Sequence, residues 1–198
     1  MPRADSLPIR RFARERDWAA WLSRNHDRSP GLWLQIAKKG ADIPSVSYPA
    51  ALDVALCYGW IDAQKRSHSD KFWLQKFGPR ARRSLWSRNN RERALALSAA
   101  GRMHPPGMAE IERAKADGRW ERAYDSPKTA EVPDDLRVAL DAQPAAAEFF
   151  AGLDSINRYA ILHRIQGAKK PETRARRIEQ FVAMCSRGET VHPRRTAR

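Results

Sequence analysis

The spacing of apolar residues along the N-terminal half predicts short helices and strands. Tryptophan and leucine at positions i, i+3 and i+4 predict an amphipathic helix over residues 12–25. Residues 32–37 are apolar and partly alternating, which is typical of a strand. A second helix is predicted up to Gly59, followed by a strand at 60–63 and its hairpin partner at 71–77. Together these elements predict a small α+β unit with an antiparallel sheet.

The C-terminal half shows helical periodicity. Helices are predicted over 91–102 and 108–117, separated by a Pro-Pro-Gly break, and residues 125–133 are predicted to form a linker. Capping residues and prolines mark the starts of four further helices, at Asp134, at Pro144, at Asp154 or Ser155, and at Pro171. The predicted fold class is therefore α+β, with a small N-terminal antiparallel sheet followed by a mostly helical half.

Changes in composition suggest four segments along the chain. Residues 1–9 are expected to be a disordered arm, and residues 191–198 a basic tail. Between them, an α+β lobe is expected over 10–88 and a helical lobe packed on it over 89–190.

The charge of the chain narrows the expected partners. Its 198 residues contain 37 Lys and Arg against 23 Asp and Glu, for a formal net charge of +14. Such a protein favours nucleic acid, an acidic membrane face or an anionic small molecule as its partner. An arginine-rich composition without any binding role is the alternative. The two cysteines, Cys57 and Cys185, lie in apolar segments and are expected to be buried free thiols.

Location and cofactors are also predicted from the sequence. Residues 1–8 lack the pattern of a secretory signal, and no apolar run approaches 18 residues, so we expect a cytoplasmic protein without a transmembrane segment. The five histidines lie outside metal-ligand spacings, and no glycine-rich phosphate loop or dinucleotide fingerprint occurs. We therefore predict no metal and no cofactor.

The segment over residues 77–90 has the richest candidate chemistry. Its arginines suit carboxylate or phosphate groups, and a tryptophan face suits a base, a sugar or another ring. A helix beginning near its end would add backbone N–H groups that favour an anion. The alternative is a solvated basic loop whose tryptophan belongs to the core. The candidate binding residues in this segment are Arg80, Arg83, Ser84, Trp86, Ser87 and Asn90.

Two other segments supply further candidates. Asp62 follows a helix end and lies near the sheet edge, where it is expected to orient an arginine at 80–83 or to form a structural ion pair. Arg174 lies on the last helix, where it shares a face with Arg177 and serves either a ligand or a solvated surface.

Several ordered motifs resemble the YdeI/OmpD-associated family, whose members are also described as bacteriocin-protection proteins. The resemblance covers about residues 10–190 and implies a role in tolerance of antimicrobial peptides or envelope stress. Descriptions of the family sometimes suggest a periplasmic location, from which this sequence departs because it shows no export signal. The family offers no catalytic residues to carry over. The matching motifs are Ala55–Asp62, Pro79–Asn90, Gly101–Gly107, Asp117–Trp120 and Ala168–Ile178.

The leading hypothesis is a non-enzymatic binding or protection protein. It would hold an anionic or aromatic small molecule or peptide in a cleft between the lobes, with Trp60, Trp86 and Trp120 as its walls. The first alternative is a sequence-tolerant nucleic-acid-binding protein, with its contacts in the basic 80–93 segment and the terminal arms. The second is an enzyme of unknown reaction that uses Asp62 and Arg80, although no nucleophile–base pair is recognisable.

Overall fold

The computed structural model describes residues 7–126, 130–168 and 170–193. The first six residues of the predicted arm and the last five of the predicted basic tail lie outside the described residues. The fold class is α+β, as predicted: a four-stranded sheet with helices, followed by a helical C-terminal half.

The contacts divide the chain into two compact units. The first consists of residues 1–86 and 90–121, and the second of residues 87–89 and 122–198. The sequence-based boundary at residue 88 differs from this division. The physical reason is that the helix at 105–116 packs on the helix at 48–57, and Arg93 pairs with Asp53, so residues 90–121 group with the N-terminal elements.

The sheet of the first unit has the strand order β1-β2-β4-β3. Its strands are β1 (Ile9–Arg10), β2 (Leu32–Ala37), β3 (Trp60–Ser67) and β4 (Phe72–Pro79). β4 pairs antiparallel with both β2 and β3, which confirms the predicted hairpin and lengthens it. β1, in contrast, pairs parallel with β2, so the sheet is mixed rather than purely antiparallel.

The order of the N-terminal segment corrects one prediction. Leu7 to Ile9 were expected to be disordered, but the main-chain N–H of Trp33 donates to the carbonyl of Pro8 at 2.9 Å. Leu7 is buried and packs in a small cluster with Trp33 and Leu74. Burial of this leucine against the sheet offsets the entropy lost by ordering the segment.

Four helices complete the first unit, and α2 is central among them. They are α1 (Glu15–Asn25), α2 (Tyr48–Cys57), α3 (Arg88–Ala99), whose first two residues group with the second unit, and α4 (Pro105–Ala116). α2 contacts α1, β3 and α4. The Pro-Pro pair expected to separate two helices occupies the first turn of α4, where proline fits because its missing N–H has no helical partner.

Tryptophan dominates the core of the first unit. Trp18 is fully buried, and its ring contacts those of Trp60 at 6.1 Å and Phe77 at 5.8 Å between centroids. Its indole N–H donates to the carbonyl of Ala51 in α2 at 3.0 Å. All seven tryptophans of the chain belong to this unit, at positions 18, 21, 33, 60, 73, 86 and 120.

The second unit is a set of helices around α8. The helices are α5 (Asp134–Asp141), α6 (Pro144–Ala151), α7 (Ser155–Gln166) and α8 (Pro171–Ser186), and they begin where the capping residues and prolines predict. α8 contacts the other three, and their apolar faces form one core. In the part of the chain that the structure describes, no helix is both long and apolar enough to cross a membrane.

Close packing of α4 on α2 makes Gly107 sensitive to substitution. A Cβ at this position would overlap the carbonyl of Cys57 and lie 2.7 Å from that of Leu56. We expect Gly107→Ala to lower the free energy of unfolding by about 1–3 kcal/mol, measured by urea denaturation. Gly152→Ala is the matched control, because its added methyl meets carbonyls only at 3.7 Å. Equal stability of the two variants would contradict this account of the α2–α4 contact.

The half-buried ring of His163 predicts an acid-dependent loss of stability. It lies against the rings of Tyr124 and Tyr159 at 4.9 and 5.5 Å between centroids. Burial, with a smaller contribution from Arg164, lowers the pKa of His163. The unfolded chain therefore binds this proton more readily, and stability is lost as the pH falls through about 6.5.

We expect His163→Phe, which keeps an aromatic ring, to remove this part of the pH dependence. The measurement is the difference in unfolding free energy between pH 7.5 and pH 5.5 for the natural protein and the variant. An unchanged difference would show that the imidazole does not titrate as expected.

Candidate anion-binding site

Arg80 lies in the interior of the first unit. It follows β4 directly, and its main-chain N–H donates to the carbonyl of Gly59 at 3.0 Å. Its side chain donates to the carbonyl of Leu85 at 3.0 Å and to the hydroxyl of Ser84 at 3.3 Å. The guanidinium carbon lies 3.8 Å from the ring centroid of Trp86, a cation–π contact. Arg80 is only 5 % exposed, so protein groups occupy the position expected for a ligand.

A second buried arginine, Arg119, completes this arrangement and was not predicted. It is 3 % exposed and donates to the carboxylate of Asp117 at 2.7 Å. It also donates to the carbonyl of Ser84 at 2.7 Å, so both buried arginines hold the same loop. The neighbouring Trp120 packs edge-on against Trp86, with 4.9 Å between ring centroids. The only signal in the sequence is the Asp117–Trp120 motif itself.

The three tryptophans expected to form cleft walls are buried. Trp60 and Trp86 are each 1 % exposed and Trp120 is 8 % exposed. Their ring contacts differ: Trp60 packs against Trp18 and Trp21, whereas Trp86 packs against Trp120. This burial favours a structural role, and the cleft between lobes stays a prediction.

The other predicted residues do not join this arrangement. Asp62 accepts a hydrogen bond from the hydroxyl of Tyr48 at 2.7 Å, so its partner is a phenol rather than the expected arginine. Burial and this hydrogen bond raise the pKa of Tyr48. Arg83 is exposed, and Asn90 lies in the first turn of α3.

Two predicted residues belong to the second unit. Ser87 forms a β-bridge with Tyr124. Arg174 forms an ion pair with Asp135 at 2.5 Å and donates to the carbonyl of Ile165. Its guanidinium lowers the pKa of the Asp135 carboxyl through their hydrogen bond.

The first unit contains a basic groove at one end of its sheet. This groove has a volume of about 560 Å³ and is lined by two pairs of consecutive basic residues, one hydroxyl and one indole. None of these six lining residues is acidic. The basic groove is formed by Lys38, Lys39, Lys65, Arg66, Ser67 and Trp73.

Strand pairing brings the two basic pairs together. Lys38 and Lys39 follow β2, and the N–H of Lys38 donates to the carbonyl of Lys71 at 2.9 Å. Lys65 and Arg66 lie in β3, on the other side of the central strand β4. The basic residues of the groove thus come from the two strands that flank β4, namely β2 and β3.

Aromatic rings hold two of the cations in place. The ammonium of Lys65 lies 4.3 Å from the ring centroid of the half-buried Trp73. The guanidinium carbon of Arg66 lies 4.1 Å from the ring centroid of the buried Trp33, on the opposite face of the sheet, because Lys65 and Arg66 are consecutive residues of β3. Such contacts restrict long side chains without neutralising their charge. An arrangement of this kind can bind an anion by electrostatic attraction and hydrogen bonding.

Residues 10–110, more than half of the chain, match the family described as domain of unknown function DUF8412. The chain belongs to the DUF8412 family. The matched segment includes the whole basic groove and the Arg80–Trp86 loop of this DUF8412 protein.

The C-terminal part of the DUF8412 protein matches a second family. Residues 129–188 match the family described as bacteriocin-protection, YdeI or OmpD-associated, which confirms the predicted resemblance over this part of the chain. The Ala168–Ile178 motif lies inside that match, whereas the motifs at 55–62 and 79–90 lie in the DUF8412 segment. No curated protein and no solved structure matches the chain.

The two neighbouring arginines of the 80–83 segment should respond differently to truncation. We expect Arg80→Ala to lower the free energy of unfolding by about 2–3 kcal/mol. The variant loses the charge-assisted hydrogen bonds of the guanidinium and its packing contact with the ring of Trp86. Arg83→Ala, at an exposed position, should change it by less than about 0.5 kcal/mol. Chemical denaturation measures both, and similar losses would contradict the structural role assigned to Arg80.

Proposed function

We propose that this DUF8412 protein is a non-enzymatic binding protein whose basic groove holds an anionic, phosphate-bearing ligand. One observation carries the proposal: three lysines, Lys38, Lys39 and Lys65, and no acidic residue line a groove of about 560 Å³, which Arg66 also borders. Small-molecule sites of this size are common in proteins, and cations concentrated in a concave surface raise the local concentration of anions.

The chemistry of the lining residues supports a phosphate over a simple carboxylate. A phosphate group presents three oxygens, which several donors can share. Lys38, Lys39 and Lys65 supply charged donors, and the Ser67 hydroxyl supplies a neutral one. The predicted Arg80 and Trp86 are less suited to this role, because Arg80 already bonds to main-chain and hydroxyl groups of the protein.

The family match supports a physiological setting for this binding. The second unit matches a family named for bacteriocin protection, which suggests a non-enzymatic role in such protection. A cytoplasmic location belongs to the same proposal, supported by two buried free thiols, Cys57 and Cys185.

Sequence-tolerant binding of nucleic acid is the second candidate. The open basic groove and the net charge of +14 favour it, since a phosphate backbone crossing the groove would contact several cations. We expect a labelled ten-residue oligothymidine to bind with a log–log salt slope of about −2 to −3 if three or four phosphates are contacted. Fluorescence anisotropy at several salt concentrations measures this slope. Absence of binding at low salt would eliminate this candidate.

Tripolyphosphate is a suitable probe for the basic groove itself. We expect the double variant Lys39→Gln, Lys65→Gln to bind it about tenfold more weakly or worse in calorimetric titration, because two charged contacts are lost. The double variant Arg82→Gln, Arg83→Gln removes the same charge from an exposed part of the predicted arginine segment and serves as the matched control.

The two variants separate three explanations. Weaker binding by the groove variant alone supports the proposal. Equal weakening of both variants would show that only net charge matters. A loss confined to the Arg82 and Arg83 variant would move the site to the segment predicted from sequence.

A further inference from the structure

The second unit has a groove of its own along α7, separate from the basic groove. Its volume is about 440 Å³, and one face of α7 together with the C-terminal segment lines it. We call it the α7 groove. Its lining residues are Ser155, Ile156, Tyr159, Ala160, His163, Arg164 and His192.

Aromatic rings in fixed orientations form one wall of the α7 groove. The ring of His163 packs at 45° to that of Tyr159, and Tyr124 supports it edge-on at 84°. The hydroxyl of Tyr159 donates to the carbonyl of Asp125 at 3.0 Å, which turns the polar end of that ring to the protein. Burial lowers the pKa of His163, so this imidazole is neutral at neutral pH. The wall is therefore preorganised and largely apolar.

The opposite wall is anchored through a buried amide. The main-chain N–H of His192 donates to the side-chain oxygen of Asn157 at 2.8 Å. Asn157 is 1 % exposed, and its amide nitrogen donates to the carboxylate of Asp154 at 3.1 Å. His192 is thus held beside α7.

The α7 groove is lined by a basic residue and by no acidic residue. Arg164 is exposed, and its guanidinium donates to the carbonyl of Ala160 at 2.9 Å. Within the described residues no carboxylate pairs with this guanidinium, and none of the lining residues is acidic. A largely apolar groove that is bordered by aromatic rings and one arginine complements a ligand with an aromatic body and one negative group.

We infer that the α7 groove binds an aromatic carboxylate, with its ring against Tyr159 and His163 and its carboxylate on Arg164. Ile156, which is 52 % exposed, would be covered by the ring of the ligand. This site is independent of the proposed function, because its residues belong to the second unit and the basic groove belongs to the first.

Calorimetric titration with 2-naphthoate tests the inference. We expect a dissociation constant below about 1 mM for the full chain. Neutral 2-naphthamide, of the same shape, should bind at least about tenfold more weakly, because it lacks the charge that Arg164 recognises. Equal affinity for the two compounds would overturn the role of the cation. No binding of 2-naphthoate at millimolar concentration would overturn the site.

Two variants locate the binding. Arg164→Gln should weaken 2-naphthoate about tenfold, whereas Arg176→Gln, at an exposed position on α8, should leave it within about twofold. Ile156→Glu adds a negative charge at the exposed end of the α7 groove and should also weaken binding. Circular dichroism confirms that each variant is folded. Unchanged affinity in both Arg164→Gln and Ile156→Glu would place the ligand elsewhere and overturn the inference.

The same variants keep the two proposals distinct. Arg164→Gln should bind tripolyphosphate like the natural protein, and the Lys39→Gln, Lys65→Gln variant should bind 2-naphthoate like the natural protein. Loss of 2-naphthoate binding in the lysine variant would assign the compound to the basic groove and overturn the α7 site. Loss of tripolyphosphate alone in the lysine variant would leave both proposals standing.

Discussion

Two guanidinium groups buried under one loop constrain the first unit. A cation removed from water must have its donors satisfied by nearby oxygens. Arg80 donates to the carbonyl of Leu85, and Arg119 donates to the carbonyl of Ser84 and to the carboxylate of Asp117, which leaves one terminal nitrogen of Arg119 buried without a hydrogen-bond partner. The hydrogen bond from Arg119 to Ser84 therefore links the loop between β4 and α3 to the turn after α4. The rings of Trp86 and Trp120 pack against each other between the same two segments. The segment with the most suggestive chemistry in the sequence is thus used mainly to hold the fold.

Much of the fold follows from local sequence patterns. Three helices of the second unit, α6, α7 and α8, begin at capping residues or prolines because these residues satisfy or avoid the free N–H groups of a first turn. β1 could not be predicted in this way. It has two residues and no apolar alternation, and its position depends on pairing with Trp33, which is distant in the sequence. The prolines of α4 have two local interpretations, and packing against α2 decides between them.

The candidate sites were harder to predict than the fold, for a physical reason. Arg80, Ser84, Trp86 and Trp120 are indeed brought together, but the sequence does not show whether a guanidinium faces solvent or an indole. The basic groove joins Lys38 and Lys65 through two separate strand pairings with β4. Each pair of basic residues by itself indicates only a solvated surface. Their shared location becomes visible when the strand order is known.

The uneven distribution of tryptophan has a spectroscopic consequence. Because every indole lies in the first unit, intrinsic emission excited near the red edge reports on that unit alone. The second unit contributes only tyrosine, at Tyr124 and Tyr159, yet it contains four of the eight helices described. Its melting would therefore change the far-ultraviolet dichroism while leaving the emission maximum in place. Comparing tryptophan emission with far-ultraviolet dichroism therefore shows whether the two units unfold together or separately, without any added label.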